Sequence, residues 1–206
     1  STVNDNGSNI VSWNWLAGTA ISNNAGSPVG TSLASSGSVN TTAGFSVVTY
    51  ASNGNNYTVP HGLGVAPNVV IVKNRSIDKF WAVYHSSLGN TKATFLDTTA
   101  AADTDATYWQ NTTPTSTVFS VGTNSGNNSG NAMVAYSFAE KTGYSKFGSY
   151  TGNGNADGAF VYTGFKPAWT LIKRTDSSTG GSWILFDNKR GANIINPINV
   201  VLAASN

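Results

Sequence analysis

Residues 69–73 read VVIVK, and residues 81–85 read WAVYH. Short apolar runs of this kind, rich in β-branched and aromatic residues and bounded by turn residues, predict buried strands. Both runs recur further along the chain, as WTLIK at 169–173 and WILFD at 183–187. The sequence therefore predicts the same pair of strands twice, about 100 residues apart.

The repeat extends to the turns before these strands. Residues 49–55 read TYASNGN and residues 149–155 read SYTGNGN, while Gly64 is matched by Gly164. Asn and Gly tolerate positive φ and are typical of turns. A fixed long period is typical of chains built from modules, and such chains form arrays or elongated assemblies.

Strand signals dominate the rest of the chain, and helical periodicity is weak. Further strands are predicted at 9–16, 45–51, 57–61, 92–97, 117–122, 132–139, 145–151, 158–163 and 198–203. Short strands separated by turn residues at this spacing are typical of antiparallel sandwiches and jelly rolls. We therefore expect an all-β fold of antiparallel β-sandwich or jelly-roll-like modules in tandem repeat.

The repeat divides the chain into four predicted segments. These are the last strand of a preceding module (1–19), a Ser/Gly/Asn-rich loop or linker (20–43), a complete β module (44–142) and a second, incomplete β module (143–206). The first assignment rests on NIVSWNWLA at 9–17, which resembles AMVAYSFAE at 132–140. We expect residues 9–16 to pack with the incomplete module or with a neighbouring subunit.

The composition disfavours several functions. Charged residues make up 10% of the 206 residues, against about 25% in an average soluble domain. The net charge is only +2 and the basic residues are scattered, which argues against nucleic-acid binding. Cysteine is absent, so disulfides are excluded. No run of about 18 apolar residues occurs, and we expect no insertion into a membrane.

Catalytic signals are weak. The two histidines, His61 and His85, are replaced in the second copy by Val161 and Asp187. The sequence lacks a G-x-S-x-G nucleophile motif, and its carboxylates lie mostly in predicted loops, without the paired setting that glycoside hydrolysis needs. We therefore expect a protein that is not an enzyme.

Aromatic residues in polar turns give the best candidate for ligand binding. Tyr108, Trp109 and Asn111 lie together in a polar stretch, and Tyr57 follows an Asn-rich turn. Aromatic rings can stack on a sugar while amides bond its hydroxyls, so these four residues are predicted to bind a ligand. A protein interface or packing in the core remains open for the same rings.

Two oxygen-rich stretches are candidates for Ca²⁺, and we expect no other cofactor. The first contains Asp103 and Asp105, and the second contains Asn153, Asn155 and Asp157. Ca²⁺ prefers carboxylate and carbonyl oxygens. Asx turns explain both stretches equally well.

Several long stretches carry a resemblance to a known family. They are WNW at 13–15, TTAGFSVVTY at 41–50, HGLGVAPNVVIVKNRS at 61–76, WAVYHSSLGNTKATFLDTT at 81–99 and GYSKFGSYTGNG at 143–154. With them, the chain resembles an uncharacterised repeat domain of large structural proteins of marine bacteriophages. In those proteins the domain often accompanies laminin-G or concanavalin-A-like lectin domains.

The resemblance implies a virion or extracellular location. We expect a structural component of a bacteriophage particle, such as a tail fibre, appendage or surface protein, that helps attachment to the host surface. The expected partners are other copies of itself, other virion proteins, and a host-surface glycan or receptor. The alternative is a carbohydrate-binding module of an extracellular bacterial adhesin or glycan-active protein.

Overall fold

The computed structural model describes residues 6, 12, 14–124, 126–179, 181–188 and 200–202. Strands dominate this part of the chain, and the predicted all-β class is confirmed. The elements are β1 (Thr19–Asn23), β2 (Ser35–Asn40), β3 (Phe45–Ala51), β4 (Tyr57–Pro60), β5 (Val69–Asn74), β6 (Ala82–His85), β7 (Lys92–Phe95), β8 (Asp103–Thr104), α1 (Ala106–Trp109), β9 (Val118–Val121), β10 (Ala132–Phe138), β11 (Trp169–Lys173), β12 (Trp183–Asp187) and β13 (Val200–Leu202). Within these described ranges, no helix is long and apolar enough to cross a bilayer.

The main sheet has eight strands in the order β1-β2-β3-β10-β5-β6-β7-β8, and its neighbours are antiparallel. Side chains alternate between its two faces, so Val48, Val72 and Ala135 share one face in adjacent strands. All three belong to one buried cluster. The same cluster contains Tyr57 of β4 and Phe119 of β9, which form a separate two-stranded sheet. The core therefore lies between the main sheet and the β4–β9 pair.

A three-stranded sheet, in the order β11-β12-β13, joins the main sheet at the far end of β7. The Trp183 indole N–H donates to the Phe95 carbonyl at 2.6 Å. The Lys173 ammonium donates to the Thr98 carbonyl at 3.1 Å, and Ala102 N–H donates to the Thr175 carbonyl at 2.8 Å. These bonds attach the C-terminal sheet to the end of β7 and to the segment that follows it.

The strand pair that the sequence predicts twice is formed twice with one register. Val69 pairs with His85 in the β5–β6 hairpin, and Trp169 pairs with Asp187 in the β11–β12 hairpin. A cation–π contact closes each hairpin at the other end. The Lys73 ammonium lies 5.6 Å from the Trp81 ring centroid, and that of Lys173 lies 5.7 Å from the Trp183 centroid.

The turns repeat as well. Asn55 N–H donates to the Asn53 side-chain oxygen at 2.9 Å, and Asn155 N–H donates to that of Asn153 at 3.0 Å. The glycine between the two asparagines has positive φ in both turns, 80° at Gly54 and 69° at Gly154. The two turns therefore share the same hydrogen bond and a glycine in the left-handed region.

The prediction of a loop or linker at 20–43 is wrong, because strands β1 and β2 lie there and extend the main sheet. Strand β2 approaches β3 so closely at Gly37 that an added Cβ atom would lie 1.9 Å from the Val47 carbonyl oxygen. Gly37, one of the small residues that suggested a linker, is thus required by this close pairing.

Strands are likewise absent at 145–151 and 158–163, where the sequence predicts them. At the spacing of about 100 residues, these segments correspond to β3 and β4, whose partners in the complete module are β10 and β9. A strand needs a neighbour to satisfy its backbone groups, and neither segment pairs with a strand among the described residues.

Most of the predicted N-terminal strand at 9–16 lies outside the described residues. Residues 12 and 14–16 are described and are not in a strand. Trp15 lies against the complete module and against β11, with its ring centroid 5.9 Å from that of Phe138 and 6.0 Å from that of Trp169. The two parts of the chain therefore meet at Trp15.

Candidate functional site

The aromatic rings predicted to bind a ligand lie in the core. Tyr57 is 1% exposed and Trp109 is 2% exposed, and Tyr108 is also buried. The Trp109 indole N–H donates to the Lys92 carbonyl at 3.1 Å, and its ring packs edge-on against Tyr84. A sugar cannot stack on rings enclosed in this way, so the prediction is wrong for these three residues.

The helix α1 explains why these rings are buried. Asp105 caps its N-terminus by accepting the Thr107 N–H at 2.8 Å. Gln110 ends the helix in the left-handed region, with φ of 55°, and donates its side-chain amide to the Val121 carbonyl at 2.7 Å. Burial raises the pKa of Tyr108 to about 12, and the nearby carboxylates of Asp103 and Asp105 add to this shift.

Asn111 is the exposed member of the predicted group. It follows Gln110 with a positive φ of 48°, at the turn that leaves α1. Asn111 thus belongs to a turn, and the three rings that were predicted to bind with it are buried.

The first oxygen-rich stretch serves the helix cap. One Asp105 oxygen accepts from the Thr107 hydroxyl at 2.6 Å, and the other accepts from Asn124 at 3.1 Å. These bonds, with the bond from the Thr107 backbone, lower the pKa of Asp105. Asp103 is exposed and lies in the short strand β8.

The second oxygen-rich stretch forms successive Asx turns. Asn155 N–H donates to Asn153, and Asp157 N–H donates to the Asn155 side-chain oxygen at 3.1 Å. The Asn153 side-chain amide then donates to the Asp157 carbonyl at 2.9 Å. Within the part of the chain that the structure describes, no three His, Asp or Glu side chains converge as metal ligands.

The two histidines have structural partners. His61 is fully buried, with Nε2 3.1 Å from the Thr115 carbonyl oxygen and Nδ1 3.2 Å from the Leu63 nitrogen. The carbonyl can only accept and the Leu63 N–H can only donate, so the neutral imidazole carries its proton on Nε2. Burial lowers the pKa of His61, and the bond to Thr115 opposes this shift in part. Burial also lowers the pKa of His85.

An open, shallow polar groove is one concave surface of the described fold. It has a volume of about 540 Å³ and lies where β1, β2, β3 and β10 meet. Polar side chains contribute much of its lining, among them Asn23, Ser35, Ser36, Thr49 and Arg75. Volumes of about 300–1,000 Å³ are typical of sites for small ligands.

The chemistry of the polar groove is that of uncharged hydrogen-bonding groups around one cation. The Asn23 side-chain amide donates to the Ser35 hydroxyl at 3.2 Å, and the Thr49 hydroxyl donates to the Ser36 carbonyl at 3.2 Å. Arg75 is exposed, and among the described residues it forms no ion pair. Its guanidinium is available to a carboxylate or another anionic group.

The polar groove has no local signature in the sequence, because its residues come from strands β1, β2, β3 and β10 and from Arg75, which follows β5. Strands β1 and β2 lie within the segment taken as a linker. The usable signal was the pattern of Ser, Asn and Thr at 20–43, which is typical of polar sheet edges as well as of linkers.

An aromatic cluster marks the second candidate surface. It consists of Trp15, Phe45, Phe138, Phe147 and Trp169. Trp15 is 42% exposed and Trp169 is 36% exposed, while Phe45 is buried. The aromatic cluster thus joins the N-terminal segment, the main sheet and β11, and leaves two indole rings partly open to solvent.

The described fold defines an all-β protein of antiparallel sheets that carries a polar groove on one sheet edge. The chain belongs to the family described as a domain of unknown function, DUF7483, which it matches over residues 1–206. The comparison with curated proteins found no match, and neither did the comparison with solved structures.

Proposed function

We propose that this chain is a structural, modular component of a bacteriophage particle and takes part in attachment to the host surface. One observation carries the proposal. Tyr50 is 6% exposed in the complete module, whereas its counterpart Tyr150 is 51% exposed. A tyrosine that is buried in the first half of the chain is thus exposed in the second half. This is expected of a module whose core is completed by a partner.

Other exposed side chains in the second half support the same view. Tyr144, Phe160 and Tyr162 are all exposed. Large exposed apolar groups that lie close together in the chain are typical of surfaces that bind other proteins. In the proposal, jelly-roll-like modules follow one another in tandem, and each incomplete module is covered by strands of its neighbour.

The location in a virion rests on the resemblance of the sequence and on its composition. A weakly charged, cysteine-free β-protein with repeated turns suits an extracellular fibre or appendage. Its partners are other copies of itself or other virion proteins, together with a host-surface glycan or receptor. Repetition of modules would raise the avidity of weak contacts without requiring one tight site.

Labelling of particles tests the structural role. Antibodies against residues 1–206 should label purified particles of the phage that encodes the chain, at a regular position seen by electron microscopy. Purified chain should also slow adsorption of these particles to host cells. Antibody labelling in the soluble lysate but not on purified particles would contradict the proposal.

The polar groove supports a second candidate function, recognition of a glycan. Amide, hydroxyl and guanidinium groups lie around a volume of about 540 Å³, which accommodates one or two sugar rings. The unpaired Arg75 guanidinium favours an acidic sugar. In this proposal the chain is a carbohydrate-binding module of an extracellular bacterial adhesin or of a glycan-active protein.

A glycan array with the purified chain tests the second candidate. Arg75→Ala should weaken binding to acidic glycans at least tenfold. Arg174→Ala is the matched control, because Arg174 is also exposed and already pairs with Asp176 at 2.7 Å. Equal binding by the two variants would rule out the polar groove as the glycan site.

A further inference from the structure

The same three residues, Asn-Gly-Asn, form a turn in each half of the chain, at 53–55 and at 153–155. In both turns the backbone N–H of the second asparagine donates to the side-chain oxygen of the first, at 2.9 Å and at 3.0 Å respectively. The middle glycine has positive φ in both. The two turns therefore share their local chemistry, and they differ in what surrounds them.

The first turn is fastened to a neighbouring loop on both sides. Before the turn, the Ser52 N–H donates to the Asn131 carbonyl at 3.0 Å. After the glycine, the Asn127 side-chain amide donates to the Asn55 carbonyl at 2.7 Å. The loop at 127–131 thus fixes the backbone at both ends of the first turn.

Among the described residues, the second turn is held only by bonds within itself. The Asn153 side-chain amide donates to the Asp157 carbonyl at 2.9 Å, and the Asp157 N–H donates to the Asn155 side-chain oxygen at 3.1 Å. All the residues of this turn are exposed. A Cβ atom added to Gly154 would meet nothing within 4 Å, whereas one added to Gly54 would lie 3.4 Å from a backbone nitrogen of the neighbouring loop.

Asparagine is one of the thermally labile residues of proteins, and before a glycine it loses its side-chain amide in a reaction that needs only water. The backbone nitrogen of the glycine gives its proton to hydroxide and attacks the Cγ atom of the asparagine. A C–N bond forms and closes a succinimide ring, the bond from Cγ to Nδ2 breaks, and ammonia leaves with a proton from water. A second water molecule then opens the ring at either carbonyl carbon, which gives aspartate or isoaspartate. Glycine favours the attack because it has no Cβ atom to block the approach.

We propose that Asn153 is a site of spontaneous deamidation, and that the fold protects Asn53 in the same Asn-Gly-Asn sequence. Ring closure requires the backbone at the asparagine to rotate until the glycine nitrogen reaches Cγ. At Asn153 this rotation disturbs only bonds within the turn. At Asn53 it also disturbs the bonds to the loop at 127–131, so it requires a local opening that costs additional free energy.

Deamidation changes both the charge and the bonding of the second turn. The product carries a new carboxylate and lacks the Nδ2 donor, so the bond from Asn153 to the Asp157 carbonyl is lost. The isoaspartate form also lengthens the backbone of the turn by one methylene group. The second half of the chain thus acquires a slow, irreversible change at an exposed position, whatever partner or particle the chain belongs to.

Peptide mapping by mass spectrometry tests the proposal, after incubation of the purified folded chain at mildly alkaline pH. The peptide that contains Asn153 should convert to its aspartate and isoaspartate forms about tenfold faster than the peptide that contains Asn53. Gly154→Ala should slow the conversion at Asn153, because its Cβ atom hinders the attack, and should leave the rate at Asn53 unchanged. Similar rates at the two asparagines of the unsubstituted chain, or a faster rate at Asn53, would overturn the proposal.

The same incubation in denaturant separates the effect of the fold from that of the local sequence. In the unfolded chain neither turn is held, so the two rates should come within about twofold of each other, chiefly because Asn53 reacts faster. A tenfold difference that persists in denaturant would show that flanking residues set the rates, and would overturn the protection of Asn53. Each of these failures leaves the particle-labelling test of the proposed function unaffected.

Discussion

The Trp183 indole nitrogen lies 2.6 Å from the carbonyl oxygen of Phe95, and the bond joins two sheets across 88 positions of the chain. Trp183 is buried at this junction. The bond ties the C-terminal sheet to the end of β7, with help from Lys173 at the Thr98 carbonyl. Few other polar contacts link the described parts of the two sheets. The Trp183–Phe95 bond therefore contributes strongly to the stability of their junction.

Trp183→Phe should loosen the C-terminal sheet selectively. Phenylalanine keeps most of the apolar contact but has no N–H to donate, and a buried carbonyl left without its donor costs about 1–3 kcal/mol. Amide exchange measured by mass spectrometry should rise in β11 and β12 and stay unchanged in β3 and β10. Trp81→Phe makes the same change of ring in the counterpart hairpin and is the control. A uniform rise over both sheets in Trp183→Phe would contradict the local role of the bond.

Trp109→Ala should destabilise the complete module strongly. The ring is 2% exposed and its N–H bonds the Lys92 carbonyl, so the variant loses both packing and a hydrogen bond. Removing a buried tryptophan costs about 3–5 kcal/mol, which denaturant unfolding would measure. Trp169→Ala is the comparison, since Trp169 is 36% exposed and should cost much less. Equal stability of Trp109→Ala and the unsubstituted chain would place the ring outside the core.

Gly37→Ala should disrupt the pairing of β2 with β3. An added Cβ atom would lie 1.9 Å from the Val47 carbonyl oxygen, so the strands must separate. Overpacking of this kind costs about 3 kcal/mol at its upper end. Gly30→Ala is the control, because its added Cβ meets nothing within 4 Å. A thermal unfolding midpoint that falls equally in both variants would contradict the close approach at Gly37.

The sequence predicts those parts of the fold that depend on neighbouring residues, and it does not predict which strands pair. Buried strands such as β5 and β10 are predicted by their own apolar residues, and the period of about 100 residues by itself relates β11 to β5. The partners of a strand are not local. Residues 158–163 have a strand pattern but pair with no strand in the part of the chain that the structure describes. Strand β2, in contrast, has the composition of a linker and is held by β3.

The burial of the predicted binding residues and the polar groove could not be predicted for a related reason. Tyr108 and Trp109 stand among polar residues in the sequence, but helix α1 turns their rings into the core while exposing the residues around them. The cap at Asp105 and the left-handed turn at Gln110 set the ends of this short helix, and packing in the core takes up its two rings. The polar groove, in contrast, gathers Asn23 of β1, Thr49 of β3 and Arg75 just after β5, and no spacing in the sequence brings them together.

His61 should make the stability of the fold sensitive to mild acid. Burial lowers its pKa in the folded chain below the usual value of about 6.5, whereas in the unfolded chain the pKa is near that value. As pH falls below about 6.5, the unfolded state therefore binds a proton first, and the free energy of unfolding decreases until pH passes the lowered pKa. His85 contributes in the same direction, because burial lowers its pKa as well.

The measurement is denaturant unfolding at a series of pH values between about 7.5 and 4.5, in a background of His85→Asn that removes the second histidine. In this background the free energy of unfolding should still fall as pH drops through the range in which the unfolded imidazole takes up its proton. His61→Gln should flatten that slope, since a glutamine amide can donate to the Thr115 carbonyl and accept from the Leu63 N–H at every pH in the series. A slope unchanged by His61→Gln would mean that the protonated imidazole fits the site as well as the neutral one, and would contradict the tautomer assigned from these two bonds.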